Sequence, residues 1–186
     1  MTTSVLKQPS TMTAMLRRLY LVRFAFAVVW AALLFLTASA TGPFLTILLV
    51  VYPLADAAAV LWQLRSKDQA ASRAAERINV AVSVAVAVAL GWASTVSVSA
   101  ALTVWGVWAA AAGLAQLATA VARRSSGGQV PQILSGALSV LAGLAFTAQG
   151  IQGASSISGV GGYAILGGVF FLISALRLGA LQRRAS

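Results

Sequence analysis

All thirteen Lys and Arg residues fall in four short stretches: Lys7 to Arg23, Arg65 to Arg77, Arg123–Arg124 and Arg177 to Arg184. Between them run long apolar stretches without a basic residue, each with an uncharged middle at Thr41–Gly42, Ser94–Ser99 or Gly150–Gly159. Lys and Arg collect on the cytoplasmic side of membrane proteins and set their orientation. The pattern therefore predicts three hairpins in the bilayer, with both termini in the cytoplasm of a cell whose inner membrane holds the chain.

Composition agrees. The chain is 60% hydrophobic and 9% charged, where a soluble domain carries about 25% charged residues. The net charge of +10 would raise nucleic acid as a partner, but the charges flank apolar spans and no aromatic-interleaved basic surface exists. They read instead as orienting charges that meet anionic headgroups, which leaves the lipid bilayer as the partner and excludes nucleic acid.

A helix needs roughly 20 residues to cross about 30 Å of hydrocarbon. The expected spans are Leu19–Thr37, Phe44–Leu64, Ile78–Ser97, Leu102–Ala122, Val130–Ala148 and Val160–Leu181. This gives an all-α integral membrane bundle of six helices, arranged as three repeated hairpins over 19–64, 78–122 and 130–181. Residues 1–18 and 183–186 form cytoplasmic ends around a single domain, 19–182. Pro43 and Pro131 sit at first-turn positions, where the missing N–H costs little; Pro53 lies inside the second span and predicts a kink. Val80 to Leu90 alternates Val with small residues in the manner of a strand. Both faces are apolar, however, and lipid tolerates no open sheet edge, so helix is expected there too. Ala38-Ser39-Ala40 resembles a signal-peptidase site, but the preceding apolar run is longer than about 7–15 residues and Arg23 interrupts it, so it is expected to stay uncut.

The hairpins repeat with a period of about 54 residues, the separation of Arg23 from Arg77. On the even spans Tyr52, Trp105 and Tyr163 align, followed by Gln63, Gln116 and Ser174, and each even span ends in a basic cluster. Such parallel repeats imply a pseudo-threefold bundle within one chain or half of a larger assembly.

Trp105-Gly106-Val107-Trp108, Gly113-Leu114-Ala115-Gln116-Leu117 and Arg123-Arg124 mark the fourth span. Ser135-Gly136-Ala137-Leu138-Ser139-Val140-Leu141-Ala142-Gly143 marks the fifth, and Ser174-Ala175-Leu176-Arg177-Leu178 the sixth. With these the chain resembles the HdeD-like acid-resistance membrane proteins, over spans three to six. The resemblance implies a six-helix inner-membrane protein linked to acid stress, and it brings no catalytic motif to carry over.

The chain has no cysteine and no histidine, and its three acids are Asp56, Asp68 and Glu76. Thiol chemistry, His-ligated haem, Cys/His zinc sites and His-based triads are excluded, as is a carboxylate cage for a hard cation. No enzyme, cofactor or metal is expected. Asp56 is the one acid within an apolar span. A carboxylate near mid-membrane costs roughly 2.5–3.5 kcal/mol on insertion scales and needs a partner or water; Arg23 and Arg77 are the candidates. Paired, Asp56 would clamp two helices; unpaired, it could carry protons or meet a solute. Gln63, Gln116, Gln132 and Asn79 sit near the basic ends of their spans. They either satisfy backbone and headgroups there or line a polar vestibule on the pseudo-threefold axis.

Ser135, Ser139 and Gly143 recur every four residues, as do Ala109 with Gly113 and Ala164 with Gly168. Small residues so spaced let helix backbones approach closely, within the chain or in a homo-oligomer. Trp62, Trp92 and Trp105 are expected in the interfacial belts, and Trp30 inside the bundle. Two functions remain: a non-enzymatic protein protecting the envelope under acid or other stress, or a small transporter or proton-conducting protein with Asp56 as its titrating group.

Overall fold

A computed structural model of the protein describes residues 8–64, 70–122 and 130–185. They form six helices: α1 (Gln8–Phe35), α2 (Pro43–Leu64), α3 (Ala70–Val96), α4 (Val98–Ala122), α5 (Val130–Ile151) and α6 (Ser158–Ala185). All six are long and apolar enough to cross a membrane, and no strand occurs among the described residues. The chain is an all-α, multi-pass membrane protein. Residues 65–69, with Asp68, and 123–129 lie outside the described residues, as do the side chains of Gln63 and Glu76.

Several helices outrun the expected spans at their basic ends. α1 begins at Gln8, not Leu19, and α3 at Ala70, not Ile78. Hydropathy marks where lipid ends, whereas Ala, Arg, Glu and Gln continue a helix into water at little cost. The strand-like alternation of Val80–Leu90 is helical, and its inward positions show why: Ser83, Ala87, Leu90 and Ser94 are buried, while Val82, Val84 and Val88 are exposed. That spacing of four, three and four is a helix face.

The uncharged end is made of tight turns. Between α3 and α4 a single residue, Ser97, breaks the helix, and its Oγ accepts a hydrogen bond from the Ala100 N–H at 3.0 Å, capping α4. The Ser94 hydroxyl lies within α3 and donates to the Gly91 carbonyl at 3.0 Å, so the serine-rich stretch back-bonds to its own helix and does not loop out. α5 ends with Gly153 at φ 81°. There the Ala154 N–H reaches the Gln149 carbonyl and the Gly153 N–H the Gly150 carbonyl, both at 3.0 Å. This is the Schellman arrangement, which favours glycine at the left-handed position. The Ile157 N–H then donates to the Ala38 carbonyl at 2.8 Å, joining the first and last turns.

The helices stand in a ring in chain order, and α6 closes it against α1. The closely packed pairs are α2 with α3, α4 with α5 and α6 with α1; α1 with α2 and α5 with α6 touch little. Close packing therefore lies between the sequence hairpins, not within them. The α4–α5 contact explains this. Gly106 and Gly113 oppose Gly143 and Gly136, and a Cβ placed at Gly113 would stand 2.7 Å from the Gly136 carbonyl oxygen. One placed at Gly143 would stand 2.6 Å from the Gly106 carbonyl oxygen. Only a missing side chain admits a neighbouring backbone so near, and packing of this kind replaces the absent hydrophobic force in lipid. On α6, Gly168 meets Ala27 and Phe24 of α1, and Ala164 is fully buried.

The core gathers toward the uncharged end, around Leu34, Leu45, Leu49, Leu90, Leu102, Ile157 and Val160. Trp30 is buried and Trp62 and Trp92 are exposed, but Trp105 is fully buried. Trp105 is thus a core residue and not part of an interfacial belt. A span's rotation about its own axis decides this, and depth along the sequence does not report it.

Gly143→Val is expected to destabilise the bundle by roughly 3 kcal/mol or more, because backbone cannot yield as a side chain can. Gly162→Ala, where a Cβ would meet nothing within 4 Å, should be neutral. Thermal melts of the two detergent-purified variants against wild type check both.

Candidate functional site

α1 and α2 run antiparallel with their backbones apart, and polar links span the gap. The Trp30 Nε1–H donates to the Leu48 carbonyl at 2.7 Å. Nearer the basic ends, the Arg23 guanidinium donates to the Asp56 carboxylate in an ion pair. Side-chain exposures of 22% and 24% place the pair mostly inside, where solvent screens it less than at a surface. The guanidinium also stands 4.3 Å from the centroid of the Phe171 ring on α6, a cation–π distance, and Tyr20 stacks on Phe171 at 6.0 Å. Arg23 is thus held from two sides. Arg77 is exposed on α3 and takes no part in this pair.

Beside the pair opens a cavity of about 1150 Å³. α2, α4 and α6 supply most of its wall, with α1, α5 and Asn79 of α3 completing it. Its lining runs from Phe26, Tyr52, Trp108 and Tyr163 to Trp62, Asn79, Thr119, Gln132 and Leu178 toward the basic ends of the helices. Residues at the rim, among them Asn79, Thr119, Gln132 and Arg177, are exposed, whereas Ala109 and Ser139 are buried. The cavity therefore opens at the basic end and is blind at the other.

Its inner end is aromatic, with Tyr52 and Trp108 in the wall. Behind them Trp105 meets both edge-on, each at 5.2 Å, and stacks on Trp30 at 5.4 Å and 19°. Edge-to-face and offset contacts are each worth about 0.5–1.5 kcal/mol beyond area burial. The Trp105 indole N–H has no hydrogen-bond partner. On the opposite wall the Ser139 and Tyr163 hydroxyls share a hydrogen bond of 2.8 Å, and Phe146 lies against the Tyr163 ring at 6.0 Å.

Of the amides expected at a vestibule, Gln116, Gln132 and Asn79 line the cavity, and the Gln63 side chain is outside the described residues. Ser135 and Ser139 also face the cavity, while Gly143, Gly113 and Gly168 sit in helix contacts. Ala109 does both, being buried against the core and part of the wall. Among the described residues no three His, Cys, Asp or Glu side chains come together, and the polar groups that meet here are an ion pair, hydroxyls and amides.

Sequence reasoning missed Phe171, the Ser139–Tyr163 bond and the position of Arg177 at the rim. One signal did exist. The residues aligned with Asp56 across the repeats, Ala109 and Gly167, line the same cavity, so the repeat register already marked one shared inward face.

No protein-family model matches the chain, and neither a curated protein nor a solved structure matches it.

If the ion pair ties α1 to α2, Asp56→Asn and Arg23→Gln should each lower the melting temperature. The double variant should cost less than their sum, with a coupling of about 1–2 kcal/mol. Additive losses, or an equal loss in Arg77→Gln, would show that the pair does not hold this seam.

Proposed function

We propose that this is a non-enzymatic inner-membrane protein that receives a small solute in a cavity open to the cytoplasm. The observation that carries the reading is the cavity itself, blind at an aromatic floor and open where the basic clusters lie. By the charge rule that end faces the cytoplasm, with both chain ends and the clusters' arginines against anionic headgroups. Ligand sites are typically concave, mostly apolar, and supplied with a few placed polar groups, and this wall has that character.

The Arg23–Asp56 pair favours a clamp over a lone titrating carboxylate, because a carboxylate that accepts from a guanidinium is already neutralised in place. Transport would then proceed by movement along the α1–α2 seam that the pair closes. The lack of cysteine and histidine and the scarcity of acids support a role without turnover. The HdeD-like residues of spans three to six make acid or a related envelope stress the setting in which we propose it acts.

The absence of native cysteine makes a clean accessibility test available. A membrane-impermeant maleimide should label Gln116→Cys and Ser135→Cys only in inside-out vesicles, and Thr41→Cys only in right-side-out ones. Labelling of Ser135→Cys from the outside, or from neither side, would remove the cytoplasm-facing cavity. Acid survival of a deletion strain with and without the wild-type chain tests the stress setting separately.

A further inference from the structure

We infer that the cavity takes an amphipathic organic anion: a flat apolar body, aromatic in the best case, bearing one carboxylate or sulfonate. This rests on the solute-binding reading above and names the class of solute.

The charges of the wall decide the sign. Arg23 and Asp56 neutralise one another. Arg177 also lines the cavity, at its exposed rim, and no carboxylate among the described residues pairs with it. The lining therefore carries one uncompensated positive charge. A cation would find a single carboxylate in the wall, already committed to a guanidinium, and would meet repulsion at the mouth. An anion meets attraction there, and a guanidinium offers a carboxylate or sulfonate parallel N–H donors.

Deeper groups fit the same class. Ser139 and Tyr163 have two hydroxyl hydrogens between them, and their mutual bond uses one. The other remains free to donate to an acceptor inside the cavity. The body would lie between Tyr52 and Trp108 on one side and Phe170 and Phe171 on the other, surfaces that favour flat rings. About 1150 Å³ is slightly more than the roughly 300–1000 Å³ of small-molecule sites, so such a molecule would share the space with water. A lipid headgroup could supply the same anion at Arg177. The polar groups nevertheless continue inward to Ser139 and Tyr163, beyond the reach of a headgroup held at the interface, and this favours a free solute.

The test uses the full-length protein in phosphatidylcholine nanodiscs, with empty nanodiscs subtracted. Radiolabelled indole-3-acetate and tryptamine are compared, one ring system with opposite charges. Indole-3-acetate should bind saturably and about tenfold more tightly than tryptamine, and Arg177→Gln should remove about that factor, the scale of one charged hydrogen bond. Arg177→Gln should leave the melting temperature unchanged, separating loss of binding from loss of fold. Ser139→Ala should weaken binding further in the same background. Equal or tighter binding of tryptamine, or an anion preference that survives both Arg177→Gln and Arg177→Glu, would overturn the assignment. Loss of indole-3-acetate binding when phosphatidylglycerol replaces phosphatidylcholine would assign the site to a lipid headgroup and overturn the free-solute class. If neither compound binds while Gln116→Cys and Ser135→Cys still label from the cytoplasmic side, the anion assignment fails and the cavity reading stands. If labelling fails as well, both fall.

Discussion

The backbone contact between α4 and α5 is the constraint on which the rest of the bundle depends. Gly106 and Gly113 face Gly143 and Gly136 so closely that a side chain at any of them would enter the opposing helix. In lipid no hydrophobic force presses helices together, so dispersion at close range and good fit must do it. The same device recurs where Gly168 receives Ala27 and Phe24. The α4–α5 pair is bound in this way, and with the closely packed pairs α2–α3 and α6–α1 it closes the ring. What remains between the pairs is loose, and the cavity is built from that looseness.

Side chains, not backbones, therefore decide how the pairs meet. At the uncharged end large ones do so: Trp30, Tyr52, Trp105 and Trp108 interlock across the axis, and leucines from α1, α2, α3 and α4 fill the space around them. At the basic end the wall mixes small and polar residues with aromatic ones such as Phe170 and Phe171. Of the three repeat-equivalent positions, only Asp56 carries a sizeable side chain; the others are Ala109 and Gly167. Three large residues there would close the lumen, and three carboxylates would repel one another without enough cations to pair them. One acid against one arginine leaves the space open and its wall neutral at that depth.

Much of this was legible in the sequence and some was not. Basic clustering and apolar length give six helices, because lipid dictates both. The repeat register marks the inward face of the even helices, since Asp56, Ala109 and Gly167 share it. The pairing of helices could not be read, because hairpins defined by loops are not the pairs that pack most closely. The small-residue row at Ser135, Ser139 and Gly143 likewise divides in space. Glycines seven apart, at 136 and 143, face α4, while the serines turn toward the cavity. A period of four drifts around a helix of 3.6 residues per turn, and so one row serves two surfaces. Trp105 shows the same limit, since its depth in the span suited an interface and its rotation placed it in the core.

The ion pair gains meaning from where it lies. Between α1 and α2 the backbones are apart, and side chains make the link: Arg23–Asp56, the Trp30 to Leu48 bond, and the Tyr52 ring against Phe26 and Trp30. A link made of side chains can open without disturbing glycine contacts elsewhere, which a seam of packed backbones cannot do. Phe171 bears on the same guanidinium from α6, a helix locked to α1. Any displacement of α2 from α1 would thus leave Arg23 with its aromatic partner and part it from Asp56, exposing the carboxylate to the cavity. The rigid pair and the openable seam share one arginine, and the chemistry of the cavity can change there without a change in the fold.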